Sequence, residues 1–180
     1  MTPMHHLQVE GPPSPGWLVT GPLGVPGTCK TCDVLDKSLG EVAEAIMSSW
    51  GPDTTYATDE PSRNPGVPSR SQCGTTALVL QDWLGGEIIV ADALRDGQRV
   101  GVHYWNRLPS GAEVDLTRDQ FLPNEAVGEG VEVARPPDAA WRDHPGYGPY
   151  LVRKERVGLC LVWMLSLSDA ITRDSLHYRE

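Results

Sequence analysis

The sequence predicts an α+β fold in which a helix that carries a cysteine packs on an antiparallel sheet. Apolar residues recur at helical spacing over residues 38–50 and again over residues 71–84. The β-branched run at residues 87–91 predicts a strand, and residues 100–108 and 112–116 predict a hairpin closed by a Pro-Ser-Gly turn. Two helices followed by three neighbouring strands are typical of the α+β class.

Composition limits the kinds of partner that this chain can have. Its 180 residues are enough for one domain with a buried core. Because 24 acidic residues face only 15 basic ones, the net charge of −9 argues against nucleic acid and against anionic membrane surfaces. The apolar run at residues 157–168 is too short to span a bilayer, and no signal peptide is evident. We therefore expect a cytoplasmic protein without a membrane partner, whose cysteines are not structural disulfides.

The N-terminal part of the chain divides into an arm and a domain. Residues 1–37 are rich in Pro and Gly and predict an irregular arm with one short strand at residues 17–20. Residues 38–180 are expected to form a single domain. Its first helix begins with Ser38 and Glu41 in the spacing of a capping box, in which each side chain bonds the other residue's backbone N–H.

The second helix is predicted to begin with Ser71 as its N-cap and to end at Gly85. Cys73 then lies in the first turn, where unpaired N–H groups and the helix dipole favour a thiolate. The same N–H groups could stabilise an oxyanion, and the side chain of Gln72 is a candidate second donor.

The predicted hairpin brings a histidine close to an acidic residue. His103 and Asp115 lie at similar distances from the turn, so they are expected to be neighbours across the two strands or along a diagonal. Asp115 could then orient the imidazole while the other ring nitrogen exchanges a proton with Cys73. Asn106 is an alternative orienting residue, and the spacing does not decide between the two.

Three segments resemble the YunG family of small bacterial proteins: SQCGTTALVLQDWLGGEI, HYWN and DLTRDQF. The resemblance extends over about residues 38–122, and Ser71 stands where the family pattern has Gly. The order of Cys on a helix, His on a strand and Asp on the next strand is also similar to the papain-like and transglutaminase-like core. The resemblance thus implies a papain-like or transglutaminase-like fold.

These residues lead to two hypotheses for function. The first is a cysteine-dependent acyl-transfer enzyme without a cofactor, which acts on an amide, ester or thioester of a small-molecule or peptide-like substrate. The second is a catalytically inactive binding protein of the same fold, with a groove lined by Trp105 and Tyr104. Each site residue also has a structural interpretation: Cys73 and His103 as core residues, and Asp115 as a turn cap.

The remaining features are less informative. Cys29 and Cys32 form a CxxC pair, which could be half of a zinc site or a redox pair. We favour an incidental pair, because no second ligand pair accompanies it and because it follows a Pro/Gly-rich arm and not the strand of a βαβ unit. Residues 122–149 are expected to be a loop with at most one strand near residues 131–134. Residues 150–167 are a buried closing helix or a core strand, and their length favours the helix. The oligomeric state is not predicted.

Overall fold

The computed structural model describes residues 18–20, 38–56 and 66–177. They form an α+β fold with one antiparallel sheet and helices packed against it. The strands are β1 (Leu18–Thr20), β2 (Glu87–Arg95), β3 (Gln98–Arg107), β4 (Glu113–Asp115), β5 (Glu125–Val127) and β6 (Val131–Val133). The helices are α1 (Leu39–Ser48), α2 (Cys73–Leu84), α3 (Asp138–Trp141) and α4 (Tyr147–His177), with 3-10 turns at Pro52–Thr54 and Arg118–Gln120.

The sheet is built around the long hairpin of β2 and β3. The strand order is β1-β4-β3-β2-β5, with β6 also paired to β2, and every pairing is antiparallel. Asp96 and Gly97 close the hairpin with φ of 51° and 78°, since tight two-residue turns need positive φ. The first strand was predicted to end at residue 91, and this Asp-Gly turn was not predicted, whereas the β3–β4 hairpin was.

Helices α1, α2 and α4 enclose the main core against the sheet. Ser38 and Glu41 form the predicted capping box: the Glu41 backbone N–H donates to Ser38 Oγ at 3.3 Å, and the Ser38 N–H donates to Glu41 Oε2 at 2.9 Å. The largest buried apolar side chains of this core are Val42, Ile46, Val79, Leu80, Val114, Leu116, Tyr150, Val157 and Leu161. Burial of these side chains is the main stabilising contribution to the packing of the three helices.

The start of α2 differs from the sequence prediction by one residue. Gln72 is the N-cap residue, and Ser71 precedes it with φ of 64° in the left-handed region. Ser71 therefore does not cap the helix as predicted, because its backbone makes the tight bend that leads into α2. The Gly of the family pattern suits this position, since glycine adopts positive φ without steric cost.

The C-terminal half of the chain is more regular than predicted. Strand β6 is the strand expected near residues 131–134, whereas β5 was not predicted at all. The closing helix is confirmed, but α4 is longer than expected and begins at Tyr147. It is not buried as predicted, because Leu159, Val162 and Trp163 are exposed. Of the N-terminal arm only β1 is described, which agrees with the short predicted strand; Cys29 and Cys32 lie outside the described residues. No described helix is long and apolar enough to cross a membrane.

Candidate active site

Cys73 is the first residue of α2 and lies where the helix begins beneath Tyr56. Its thiol is free and half-buried. The next residue, Gly74, leaves room for Tyr56, because a Cβ at Gly74 would lie 3.2 Å from Cε2 of the ring. The first turn of an α-helix has backbone N–H groups without intrahelical acceptors, and these groups surround the position of the thiol. An anionic sulfur or oxyanion would be stabilised there.

His103 lies on β3 and makes a short contact with Asp115 at the end of β4. The imidazole is 1% exposed, and its Nε2 lies 2.7 Å from Asp115 Oδ2. The β3–β4 register pairs Asn106 with Val114, so Asp115 and His103 are two residues apart along a diagonal. The other carboxylate oxygen, Oδ1, accepts from the Thr117 backbone N–H at 3.1 Å. Asp115 therefore holds both the imidazole and the turn that follows β4.

The surroundings of His103 favour the imidazolium. Burial acts to lower the pKa of His103, but hydrogen bonds to Asp115 and Cys73, together with the negative charges of both, raise this pKa to about 9. The described hydrogen bond of this predicted series is that between His103 and Asp115, and the link to Cys73 is its contribution to the raised pKa of His103.

Gln120 is part of this site and was not identified from the sequence. Its Nε2 donates to the Thr117 backbone carbonyl at 2.9 Å and lies 3.1 Å from His103 Nδ1. Since Nε2 of the imidazole is engaged by Asp115, Nδ1 is the nitrogen left for proton exchange with Cys73. Gln120 therefore competes with Cys73 for this nitrogen when the imidazole is neutral. A buried glutamine in a 3-10 turn leaves no recognisable pattern in the sequence.

Asn106, the alternative orienting residue, is engaged elsewhere. Its Nδ2 donates to the backbone carbonyl of Ala77 in α2 at 3.0 Å, and the side chain is buried. Asp115 is thus the hydrogen-bond partner of the imidazole, and Asn106 joins the sheet to the helix instead.

Gln72 does not have the free amide group that an oxyanion donor needs. Its side chain is completely buried, and Nε2 donates to the Gly51 carbonyl at 3.0 Å and to Thr55 Oγ1 at 2.7 Å. Oε1 accepts from Thr54 Oγ1 at 3.2 Å and from Arg153. Both N–H groups are therefore used within the protein, and the prediction for Gln72 is wrong on geometric grounds. Backbone N–H groups remain as candidate donors.

Arg153 is a second residue of this region that the sequence analysis missed. It belongs to the buried face of α4, in which Tyr150, Arg153, Val157 and Leu161 recur at helical spacing. The guanidinium donates to the Gln72 backbone carbonyl at 3.1 Å and to Thr76 Oγ1, and so lies beside the first turn of α2. An arginine at a core position of an amphipathic pattern was the available signal.

The predicted groove residues Trp105 and Tyr104 are consecutive on β3. Trp105 stacks on His103 with ring centroids 5.7 Å apart and donates from Nε1 to Glu113 Oε2 at 3.0 Å. A cavity of about 250 Å³ is lined by Thr20, Trp105, Glu113, Asp115, Arg118, Val127 and Gly128. Tyr104 instead lies near Cys73; burial and the charge of Cys73 raise its pKa.

The described residues contain no group of three or more His, Cys, Asp or Glu side chains that could hold a metal ion. The arrangement combines a partly exposed thiol at a helix N-terminus, a nearby histidine whose pKa responds to that thiol, and a carboxylate hydrogen-bonded to the histidine. Such an arrangement can generate a thiolate and return a proton to a leaving group.

Of the comparisons with known proteins, the match to a protein family is significant. No curated protein and no solved structure matches the chain significantly. The family model described as YunG protein matches residues 38–157, which is more than half of the 180 residues. The match includes α1, α2, the whole of β2 to β6 and the start of α4, and with them Cys73, His103 and Asp115. The chain therefore belongs to the YunG family.

Proposed function

We propose that this protein is a cysteine-dependent acyl-transfer enzyme, with Cys73 as nucleophile, His103 as acid and base, and Asp115 as the residue that orients the imidazole. The observation that carries the proposal is the position of His103, which bonds Asp115 through Nε2 and also interacts with Cys73. The same spatial order of thiol, imidazole and carboxylate belongs to papain-like and transglutaminase-like enzymes. We extend the proposal to that arrangement of the core.

The reaction would proceed in two steps. Cys73 Sγ attacks the carbonyl carbon of an amide, ester or thioester, and a C–S bond forms while the carbonyl π electrons move onto the oxygen. Collapse of this adduct breaks the bond to the leaving nitrogen, oxygen or sulfur, which takes the proton from His103 Nδ1. Water or an amine then gives a proton to His103 and attacks the thioester, which releases the acyl group and regenerates Cys73.

Two features of the protein would stabilise the charges in these steps. Asp115 is held by Thr117 as well as by His103, so its carboxylate is already oriented before an imidazolium forms. The backbone N–H groups at the start of α2 are close to where the oxyanion would develop next to Cys73. The chemical class of the acyl group is set by loops beyond these residues.

The first test is alkylation of the folded chain by iodoacetamide as a function of pH, with the modified cysteine identified by mass spectrometry. We expect Cys73 to react with a pH midpoint well below the value of about 8.5 that is usual for a free thiol. In His103→Ala the midpoint should rise. If Cys73 is inert in the wild-type protein, or if the midpoint does not respond to His103→Ala, the thiolate pair is excluded.

The second test is trapping of the acyl-enzyme. Incubation with a p-nitrophenyl ester or an aryl thioester should acylate Cys73 in the wild-type protein and leave Cys73→Ser unmodified. In Asp115→Asn acylation should be slower, because the imidazolium loses its counter-charge. If a reactive Cys73 is never acylated by either class of ester, the result favours a catalytically inactive binding protein of the same fold.

A further inference from the structure

Arg153 is a buried cation whose described hydrogen-bond acceptors are all uncharged. Its side chain is 0% exposed and donates to the backbone carbonyls of Gln72 and Thr54, to the hydroxyls of Thr54 and Thr76, and to the side-chain oxygen of Gln72. These acceptors bond Nη1 and Nη2 of the guanidinium, whereas its buried Nε has no hydrogen-bond partner among the described residues. None of the acceptors neutralises the charge. A buried charge without a counter-charge costs several kcal/mol, so its retention needs an explanation.

The charged groups around Arg153 come from three parts of the chain. Asp53 is nearby, but it is exposed and forms its own bidentate pair with Arg156, at 2.5 and 2.9 Å. Burial lowers the pKa of Arg153 to about 9, and a negative charge on Cys73 acts in the opposite direction. The guanidinium is therefore still protonated at neutral pH. Among the described groups whose charge would act on Arg153, the Cys73 thiolate of the proposed function is the anion that is not already paired with an exposed arginine.

The position of Arg153 relative to α2 agrees with this charge balance. The guanidinium bonds the carbonyl of Gln72, the residue that directly precedes Cys73, and the hydroxyl of Thr76, one turn further along the helix. His103 and Tyr104 of β3 are also close enough to Cys73 for its charge to raise the pKa of both. The thiol therefore has a cation from α4 and a histidine from the sheet in its surroundings, at the positive end of a helix.

We propose that Arg153 is the buried counter-charge of the Cys73 thiolate, and thus a positioning residue of the candidate nucleophile. This inference rests on the proposed function, since it assigns a role for the same thiol. It also explains the burial of Gln72, Thr54 and Thr76 around the start of α2: they hold the guanidinium in place beside the helix. His103 would then exchange the proton during the reaction, while the guanidinium of Arg153 stays protonated throughout.

The test compares the pH midpoint of Cys73 alkylation between the wild-type full chain, variants with a neutral side chain at position 153, and a variant with a different cation there. Arg153→Met and Arg153→Gln should raise the midpoint by about one pH unit or more, as expected for loss of an opposite charge at close range. Arg153→Lys should keep most of the wild-type behaviour. Arg156→Met is the matched control, because it removes a half-exposed arginine one turn away and should leave the midpoint unchanged.

The outcomes separate this inference from the proposed function. If His103→Ala raises the midpoint but a folded Arg153→Met does not, the role of Arg153 is wrong and the Cys-His pair stands. A rise in Arg153→Met that is absent in Arg153→Lys supports the inference. Equal rises in both folded variants would mean that the guanidinium contacts, and not the charge, determine the behaviour of Cys73, which also overturns it.

If neither neutral variant folds, the inference is tested with Arg153 in place. Cys73→Asp and Cys73→Asn place side chains of the same size but different charge at the position of the thiol. Both variants also carry His103→Ala, which removes the imidazolium. The Asp form should unfold at a higher urea concentration than the Asn form at pH 7, and this advantage should disappear as the pH falls through the carboxyl pKa. Equal urea midpoints at pH 7 would overturn the role of Arg153.

Discussion

At the scale of single residues, the contact of His103 with Asp115 makes the stability of the protein depend on pH. The pKa of His103 is raised to about 9 in the folded state, from an ordinary value of 6.5. A raised pKa stabilises the protonated folded state, so this contribution is complete below pH 6.5 and is lost as the pH rises towards 9. At about 1.4 kcal/mol per pKa unit, the loss is roughly 3 kcal/mol.

Urea denaturation at a series of pH values between 6 and about 9.5 measures this loss. Asp115→Asn is the control, because the amide has the same shape but no charge to stabilise the imidazolium, and its stability should depend less steeply on pH. A wild-type stability that stays constant from pH 6.5 to 9 would show that His103 is neutral in the folded protein.

Ser71 provides a second prediction at this scale. Its φ of 64° is unfavourable for a residue with a Cβ, by roughly 1–2 kcal/mol. Ser71→Gly and Ser71→Ala both remove the hydroxyl, so the difference between the two variants isolates the backbone. We expect the Gly variant to be more stable than the Ala variant by about 1 kcal/mol in thermal or urea unfolding. Equal stabilities would mean that the bend before Cys73 relaxes in these variants.

At the scale of secondary-structure elements, the start of α4 is packed against the loop that carries Tyr56. A Cβ at Gly146 would overlap the ring of Tyr56, whereas a Cβ at Gly148 would have no atom within 4 Å. Gly146→Ala should therefore destabilise the protein by roughly 1–3 kcal/mol through overpacking. Gly148→Ala is the matched control two residues away, and it should be neutral or stabilising by up to about 1 kcal/mol, because Ala favours helix more than Gly does.

Thermal unfolding of both variants checks this prediction. Displacement of Tyr56 would also change the access to Cys73, since Tyr56 lies against Gly74 at the start of α2. The alkylation rate of Cys73 should therefore change in Gly146→Ala and not in Gly148→Ala. If both variants have wild-type stability, the loop around Tyr56 is not packed closely against α4.

The elements that could be predicted from the sequence are those with a local signal. The capping box of Ser38 and Glu41 involves four consecutive residues, and the spacing of His103 and Asp115 follows from one hairpin. Strand β5 has no such signal, because its three residues are held by pairing with β2. The role of Gln72 was predicted wrongly for a related reason: its amide donors are taken by Gly51 and Thr55, about twenty residues away.

At the scale of the whole molecule, Glu125 joins three separate parts of the chain. Its carboxylate accepts from Arg70 at 2.6 and 2.9 Å and from Arg95 at 2.7 Å, and its side chain is 3% exposed. Hydrogen bonding with Arg70 is the main reason that the pKa of Glu125 lies far below its usual value. Arg70 also donates to the backbone carbonyl of Gln120, so this cluster supports the turn that contacts His103.

Glu125→Gln should therefore destabilise the protein by about 1–3 kcal/mol, the usual cost of losing hydrogen bonds to a charged group. Asp92→Asn is the matched control, because Asp92 and Arg99 form an ion pair on the exposed surface, where solvent screening leaves little stabilisation. Urea unfolding of the two variants measures both effects. A Glu125→Gln variant as stable as Asp92→Asn would mean that the buried cluster does not support the fold.

Periodicity and single turns in the sequence were enough to predict the α+β class, a helix with Cys73 in its first turn, and the closeness of His103 to Asp115 across a hairpin. The choice between Asp115 and Asn106 required the tertiary structure. So did the finding that the amide of Gln72 is bonded within the protein, and that Gln120 and Arg153 belong to the site. Arg153 is 80 residues from Cys73 in the chain, and its contacts form only when α4 packs on α2. Long-range packing of this kind leaves no periodic signal, and it sets the electrostatic environment of the thiol.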